Sequence, residues 1–112
     1  MPEITDEYMK QMLATTKSYT AVILKRGAAY KMPDVFPLIW EHARRNFLLR
    51  EDGVLMIVCP ISEDKEMAGV GIFNADASTT KALLEEDPAI KAGVLVYEMY
   101  PTRSFPGDSL KS

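Results

Sequence analysis

The order of the apolar segments constrains the fold of this chain most strongly. Four segments have the composition of strands, and two helical patterns lie between them; in chain order these are 19–26, 34–50, 54–61, 67–73, 78–86 and 94–100. This β-α-β-β-α-β order is typical of the ferredoxin-like fold, a four-stranded antiparallel sheet with two helices on one face. Right-handed crossovers place the first and third strands in the centre. The sequence therefore predicts an α+β domain of the ferredoxin-like class.

Two shorter segments flank this predicted domain, which spans residues 19–101. Residues 1–18 contain an amphipathic helical pattern over 4–16, where apolar residues recur mostly at three and four positions. Residues 102–112 are polar. We expect an N-terminal helical extension, one domain and a C-terminal tail, since 112 residues suit a single domain.

The longer predicted helix carries large hydrophobic residues along one stripe. At 100° per residue this stripe consists of Phe36, Ile39, Trp40, Ala43 and Phe47. We predict that it faces the sheet. The predicted strands are apolar on both faces, whereas two helices can cover one face alone. A second copy of the same sheet is the simplest cover for the other face, so we predict a homodimer or an assembly of dimers.

One cysteine and one histidine exclude several kinds of site. With these counts, no internal disulfide or Cys-rich zinc finger can form, and a multi-histidine metal site cannot come from one subunit. We therefore expect no metal ion and no organic cofactor.

The charge and hydropathy patterns argue against two classes of partner. The net charge is −3, which is unlike the basic surface that attracts nucleic acid. No stretch approaches 18 apolar residues, so we expect no membrane association. The N-terminus is acidic and lacks the apolar run of a signal peptide, and a lone thiol fits a reducing compartment. We expect a cytoplasmic protein.

The single histidine, His42, is the first candidate for chemistry, because histidine is the side chain that ordinarily changes charge near neutral pH. It lies on a flank of the longer predicted helix, between the predicted buried stripe and solvent. It is either a structural histidine at a helix edge or a proton-transfer group. Asp87 precedes Pro88 and is either a turn carboxylate or the partner that orients the imidazole of His42.

Five further residues are candidates for a ligand pocket. Gly69 and Gly71 fall on one face of the third strand and leave room for a molecule to approach the sheet. Arg26 ends the first strand and has the charge to receive an anion, while Tyr97 on the last strand has a polar group for the pocket edge. Cys59 lies in an apolar run, where cysteine usually acts as a small hydrophobic residue and less often as a nucleophile.

An ordered set of motifs over residues 19–101 resembles the YciI-like, or YCII-related, family. The set consists of His42 with Gly53 eleven residues later (HARRNFLLREDG), the strand VLMIVCP, the glycine-containing strand MAGVGIF, Asp87-Pro88 before Gly93 (DPAIKAG), and a strand that ends in Tyr100-Pro101. The ordered set with these spacings, more than any single motif, carries the resemblance.

The resemblance implies a ferredoxin-like fold that dimerises into an α/β barrel. It also implies an active site at a cleft with a His–Asp pair, which falls on His42 and Asp87 in this chain. One position departs from the family pattern, because the second strand ends in Cys59-Pro60 instead of Gly-Pro. A side chain at this position narrows the pocket or adds a thiol to it.

Three functions fit these features. The first is a cofactor-independent isomerase or lyase, in which His42 and Asp87 transfer protons on a small carboxylate or ring-cleavage product. The second is a non-catalytic module for ligand binding or assembly, in which the same pair is a structural hydrogen bond. The third is a monooxygenase-like dimeric barrel. In the first two, the expected ligand is a small anionic molecule.

Overall fold

A computed structural model describes residues 2–112 as one sheet with helices packed on one of its faces. The elements in chain order are α1 (Asp6–Ala14), β1 (Lys17–Arg26), α2 (Phe36–Glu51), β2 (Leu55–Pro60), β3 (Met67–Phe73), α3 (Ala77–Glu85), α4 (Pro88–Lys91) and β4 (Leu95–Ser104). The strand order is β2-β3-β1-β4, and every neighbouring pair is antiparallel. The predicted ferredoxin-like class is therefore confirmed, with the first and third strands in the centre.

The two longest strands extend beyond their predicted bounds. β1 begins at Lys17 and β4 continues to Ser104, and these two residues pair at one end of the sheet. The first three residues of the predicted tail therefore belong to β4. Arg103 fixes this end, because its guanidinium donates to Thr16 Oγ1, to the Thr16 carbonyl and to Ser18 Oγ at 2.9–3.1 Å.

The predicted inward stripe of α2 is wrong. Phe36, Trp40 and Phe47 are 69%, 57% and 62% exposed, whereas Leu49 is buried. Ile39 and Ala43, the other two members of the stripe, are partly buried. The helix instead turns the neighbouring flank toward the sheet, which includes His42 and Leu49. Both faces of α2 are apolar, and the flank with the smaller residues is the one that packs.

The core lies between the helices and one face of the sheet. Its larger cluster is formed by buried residues from both layers, namely Val22, Leu49, Leu55, Phe73 and Leu84. A second cluster of Ala89, Val94 and Leu95 joins α4 to the start of β4. Together these clusters place α2 beside α4, which brings the middle of α2 close to the N-terminus of α4.

The opposite face of the sheet, called here the outer face, is apolar over its central strands. Ile23 pairs with Val70 across one strand boundary, and Ala21 pairs with Ile72. These four residues are partly buried, and Val96 on β4 is 46% exposed. The sheet thus has one face packed by helices and a second apolar face without such cover within residues 2–112.

Candidate functional site

His42 and Asp87 form a direct hydrogen bond between α2 and α4. The distance from His42 Nδ1 to Asp87 Oδ2 is 2.5 Å, and the two side chains are 13% and 5% exposed. Forty-five positions separate them in the chain, so the packing of α2 on α4 makes the contact. The structure therefore brings together the two residues that the sequence singled out for chemistry.

Asp87 uses its two carboxylate oxygens for different tasks. It is the N-cap of α4, and Oδ1 accepts a hydrogen bond from the buried backbone N–H of Ala89 at 2.9 Å. This is the usual way in which an aspartate satisfies a free N–H in the first turn of a helix. Because the cap holds Oδ1, Oδ2 is fixed in direction and meets the imidazole of His42.

This arrangement sets the tautomer of His42. An ionised carboxylate can only accept hydrogen bonds, so Nδ1 must carry the proton that is donated to Asp87. In the neutral imidazole, Nε2 is then the basic nitrogen. Its neighbour is Asn46 Nδ2 at 3.4 Å, one helical turn away. This contact is long for a hydrogen bond, so a substrate atom can replace it at little energetic cost.

A cleft of about 690 Å³ lies between α2 and the sheet, and His42 is one of the residues that line it. The volume falls within the range of small-molecule sites. The strands form an apolar floor that includes Val22, Leu24 and both predicted glycines. A Cβ atom on Gly71 would lie 3.2 Å from Leu55 Cδ1, and one on Gly69 would lie 3.2 Å from the Cys59 carbonyl oxygen. The absence of side chains at these two positions keeps the floor of the cleft open.

The charged groups around the cleft are all basic. Arg26, His42 and Arg50 line it, and no aspartate or glutamate of residues 2–112 does. The whole chain carries a net charge of −3, so the lining has the opposite sign to the protein. An apolar cleft with cationic groups favours an apolar ligand that carries a negative charge.

The two arginines of the cleft differ in how much of their guanidinium is free. Arg26 donates hydrogen bonds to the carbonyl oxygens of Ile61, Asp64 and Met67, and these bonds hold the loop between β2 and β3 in place. Arg50 makes no salt bridge with any described residue of the chain and lies 5.6 Å from the ring centre of Phe47. Arg26 is therefore largely structural, whereas Arg50 keeps donors for a ligand. No pattern in the sequence distinguishes Arg50, which resembles any other arginine at a helix end.

Cys59 borders the cleft with its side chain directed away from it. It pairs with Val70, whereas its neighbours Val58 and Pro60 pair with the two glycines of the floor. Side chains alternate between faces along a strand, so the thiol lies on the outer face, where Cys59 is exposed. The sequence predicted that this side chain narrows the pocket or adds a thiol to it. Cys59 does line the cleft, but the strand pairing directs its thiol to the outer face.

Tyr97 is absent from the cleft lining, contrary to the sequence-based expectation. Its hydroxyl donates to Glu85 Oε1 at 2.5 Å, and its ring packs against the larger core cluster. The hydrogen bond to Glu85, with a smaller contribution from burial, raises the pKa of Tyr97 from 10.0 to about 12. Tyr97 therefore ties α3 to β4.

Because the pKa of Tyr97 is raised, the free energy of unfolding depends on pH above pH 10. The contribution of the Tyr97–Glu85 hydrogen bond is fully present below pH 10 and is lost as the pH rises from 10 to about 12. We expect the difference in tyrosinate absorbance between wild type and Tyr97→Phe to titrate near pH 12. In Glu85→Gln the midpoint should fall toward 10, and an unchanged midpoint would contradict this assignment.

Residues 2–112 contain neither a cluster of metal ligands nor a helix that could span a membrane. No three of the His, Cys, Asp and Glu side chains in this range lie close enough together to hold a metal ion. None of the helices in the same range combines the length and the hydropathy required to cross a bilayer.

Comparisons with known proteins show similarity to solved structures and no sequence family. No family model matches the chain, and no curated protein matches it in sequence. A solved structure that it resembles is 5-chloro-2-hydroxyhydroquinone dehydrochlorinase from Burkholderia phenoliruptrix AC1100, in complex with 2,5-dihydroxybenzoquinone. The TM-score is 0.47 at 19% sequence identity, over 71% of this chain and 90% of the other.

Proposed function

We propose that this protein is a cofactor-independent isomerase or lyase that transfers protons on a small anionic substrate. The observation that carries the proposal is the His42–Asp87 pair, held at 2.5 Å, with the histidine at the wall of an apolar cleft. A base oriented by a buried carboxylate and facing a cleft is the usual arrangement for general acid–base catalysis.

The proposed reaction begins with Nε2 of His42 as the base. Nε2 takes a proton from a carbon of the substrate, and the imidazolium that forms is stabilised by the Asp87 carboxylate at Nδ1. Return of the proton to another atom of the substrate gives an isomerase. Departure of a leaving group from the neighbouring carbon gives a lyase. The apolar floor excludes water and strengthens the ion pair during this step.

The lining charges support a carboxylate or ring-cleavage product as the substrate. Arg50 lies two helical turns after His42, a rise of about 12 Å along α2. Long side chains on a helix lean toward its N-terminus, and the position of Arg50 over Phe47 agrees with this direction. Arg50 would bind the anionic group while the reacting carbon of a small ligand lies at His42.

We also propose that the chain belongs to the YciI-like family and forms the dimer of that family. The spacing of the motifs around His42 and Asp87 supports the family assignment, together with the contact between these two residues. The apolar outer face supports the dimer, because a second sheet packed on it would bury Ile23 and Val70.

A proton-exchange assay tests the proposed reaction without a known substrate. We would follow incorporation of deuterium from heavy water into small oxo- and unsaturated carboxylates by NMR. Wild-type protein should accelerate exchange of at least one of them. His42→Gln should lower that rate by about 10²- to 10⁴-fold, because general acid–base catalysis contributes about this factor.

Matched variants separate catalysis from binding in this assay. Arg50→Gln should raise KM with a smaller effect on kcat, whereas Arg44→Gln should change neither, because Arg44 pairs with Glu41 and does not line the cleft. Binding of carboxylates that depends on Arg50, without any exchange that depends on His42, would favour the non-catalytic binding module.

A further inference from the structure

The N-terminal helix α1 has an apolar stripe that is exposed to solvent in the single chain. None of its residues is buried, and the exposed large side chains on and just before it are Ile4, Tyr8, Met9, Met12 and Leu13. Thr5 caps the helix through the N–H of Tyr8, so it is a well-formed helix. An amphipathic helix normally has its apolar face packed against another surface.

A second exposed apolar surface lies on α2 and includes three residues of the stripe that the sequence predicted to be buried. Phe36 and Trp40 stack with ring centres 6.1 Å apart, and Phe47 and Leu48 continue the exposed apolar surface toward the C-terminus of the helix. These four residues are here called the aromatic stripe. Methionine side chains such as those of α1 make favourable contacts with aromatic rings.

The two surfaces lie apart within one chain. Arg103 clamps the short link between α1 and β1 through Thr16 and Ser18. The longest dimension of the protein is 56 Å, which fits ten residues of β1 followed end to end by nine residues of α1, about 50 Å with the link. The helix therefore extends beyond the end of the sheet, away from α2 and its aromatic stripe.

The exposed apolar area of α1 and of the aromatic stripe is large enough for an interface with a second copy of this chain. A protein of 12.5 kDa typically exposes about 6,200 Å², and this one exposes 8125 Å². At about 200 Å² for a large side chain, the α1 stripe and the aromatic stripe expose roughly 1,000 Å² per chain. Two reciprocal contacts would bury up to about 2,000 Å², the size of a stable interface.

The charges of the two helices also match. Asp6 and Glu7 give the first turn of α1 a negative charge, and neither forms a salt bridge within residues 2–112. With Lys10, the net charge of α1 is −1. On α2, Arg44, Arg45 and Arg50 outnumber Glu41 and Glu51. Arg44 and Arg45 already pair with Glu41 and Glu86, so Arg50 is the arginine of α2 without a salt bridge within residues 2–112. We propose that α1 is an exchange arm, which packs its apolar stripe on the aromatic stripe of α2 in a second copy of the chain. The contact leaves the outer face of the sheet free and reaches the edge of the cleft at Phe47.

Trp40 is the single tryptophan of the chain, so its fluorescence reports directly on the proposed contact. In the purified full-length protein, the emission of Trp40 should move to longer wavelengths on dilution. The double substitution Met9→Glu/Met12→Glu should produce the same shift at high concentration. It should also at least double the constant for quenching of Trp40 fluorescence by acrylamide. In sedimentation experiments it should lower the measured molar mass of the protein or weaken the dependence of that mass on concentration.

Gln11→Glu/Ala14→Glu is the matched control, because it adds the same charge to the same helix outside the apolar stripe. It should leave the quenching constant of Trp40 at the wild-type value. Circular dichroism checks the fold, and Met9→Ser/Met12→Ser repeats the test without added charge. Equal quenching of Trp40 in wild type and in both methionine variants, at every concentration, would overturn the proposal.

Discussion

Replacing Gly27 with alanine is expected to destabilise the protein by about 3–5 kcal/mol, at the upper end of the effects of single substitutions. Gly27 follows β1 and lies against the backbone that leads into β4. A Cβ atom at this position would fall well inside the contact radius of the Gly93 carbonyl oxygen and 3.0 Å from its carbon. Both groups are backbone, so no side chain can move aside to relieve the overlap.

The close approach at Gly27 also holds the candidate site together. The N–H of Gly27 donates to the Val94 carbonyl at 2.8 Å, and the N–H of Ala29 donates to the Gly93 carbonyl at 3.1 Å. Gly93 follows Ala92, the C-cap of α4, and Asp87 caps the other end of the same helix. Separation of these backbones would therefore break two hydrogen bonds and displace the helix that positions Asp87.

Urea unfolding of Gly27→Ala measures this cost, with Gly53→Ala as the control. Gly53 has a φ of +73°, and a methyl group at its Cα would have no neighbouring atom within 4 Å, so alanine there should cost about 1–2 kcal/mol through backbone strain alone. A loss of stability in Gly27→Ala no larger than that in Gly53→Ala would contradict the steric argument.

The order of elements was sufficient to predict the fold, because strand and helix periods are local properties of the sequence. The bounds were less accurate at the ends of β1 and β4, where Arg103 and pairing between strands extend the ladder. The helix α4 was not predicted, since four residues are too few for a periodic pattern. The sequence singled out its N-cap, Asp87, because this residue is a carboxylate that precedes Pro88, and not because a helix was expected there.

The face of α2 was predicted wrongly because periodicity identifies an apolar stripe without saying what covers it. Trp40 and Phe47 are the larger side chains, yet His42 and Leu49 are on the side that packs. If α1 of a second copy covers the aromatic stripe, both faces of α2 are apolar because one packs on its own sheet and the other packs on a second chain. The same limit applies to Arg26, because the carbonyl groups that its guanidinium binds come from a distant loop.

Two substitutions of Asp87 should differ in how much stability they remove, because one carboxylate performs two tasks. Asp87→Ala removes the cap of α4 and leaves the His42 Nδ1–H without its acceptor in a mostly buried place. The loss of the cap costs about 1 kcal/mol, and unpaired buried polar groups cost about 1–3 kcal/mol. We expect Asp87→Ala to lose about 2–4 kcal/mol of stability in urea unfolding.

Asp87→Asn keeps the cap, since asparagine accepts from the first turn of a helix as well as aspartate does. It removes the negative charge that stabilises the imidazolium of His42 and the acceptor that sets its tautomer. We expect a loss of stability of about 1 kcal/mol or less, together with a fall of about 10²- to 10⁴-fold in the proton-exchange rate. The proton-exchange rate therefore reports on the orientation of His42 by Asp87, whereas unfolding measurements report on this contact and on the capping of α4 together.

The double variant His42→Gln/Asp87→Asn completes this experiment. If the two residues act as one unit, the exchange rate of the double variant should be close to that of His42→Gln alone, because effects within a catalytic unit are not additive. Wild-type exchange in Asp87→Asn, combined with a large loss of stability in Asp87→Ala, would instead restrict Asp87 to capping α4. Under that result His42 would have to act without an orienting carboxylate, and the proposed mechanism would fail.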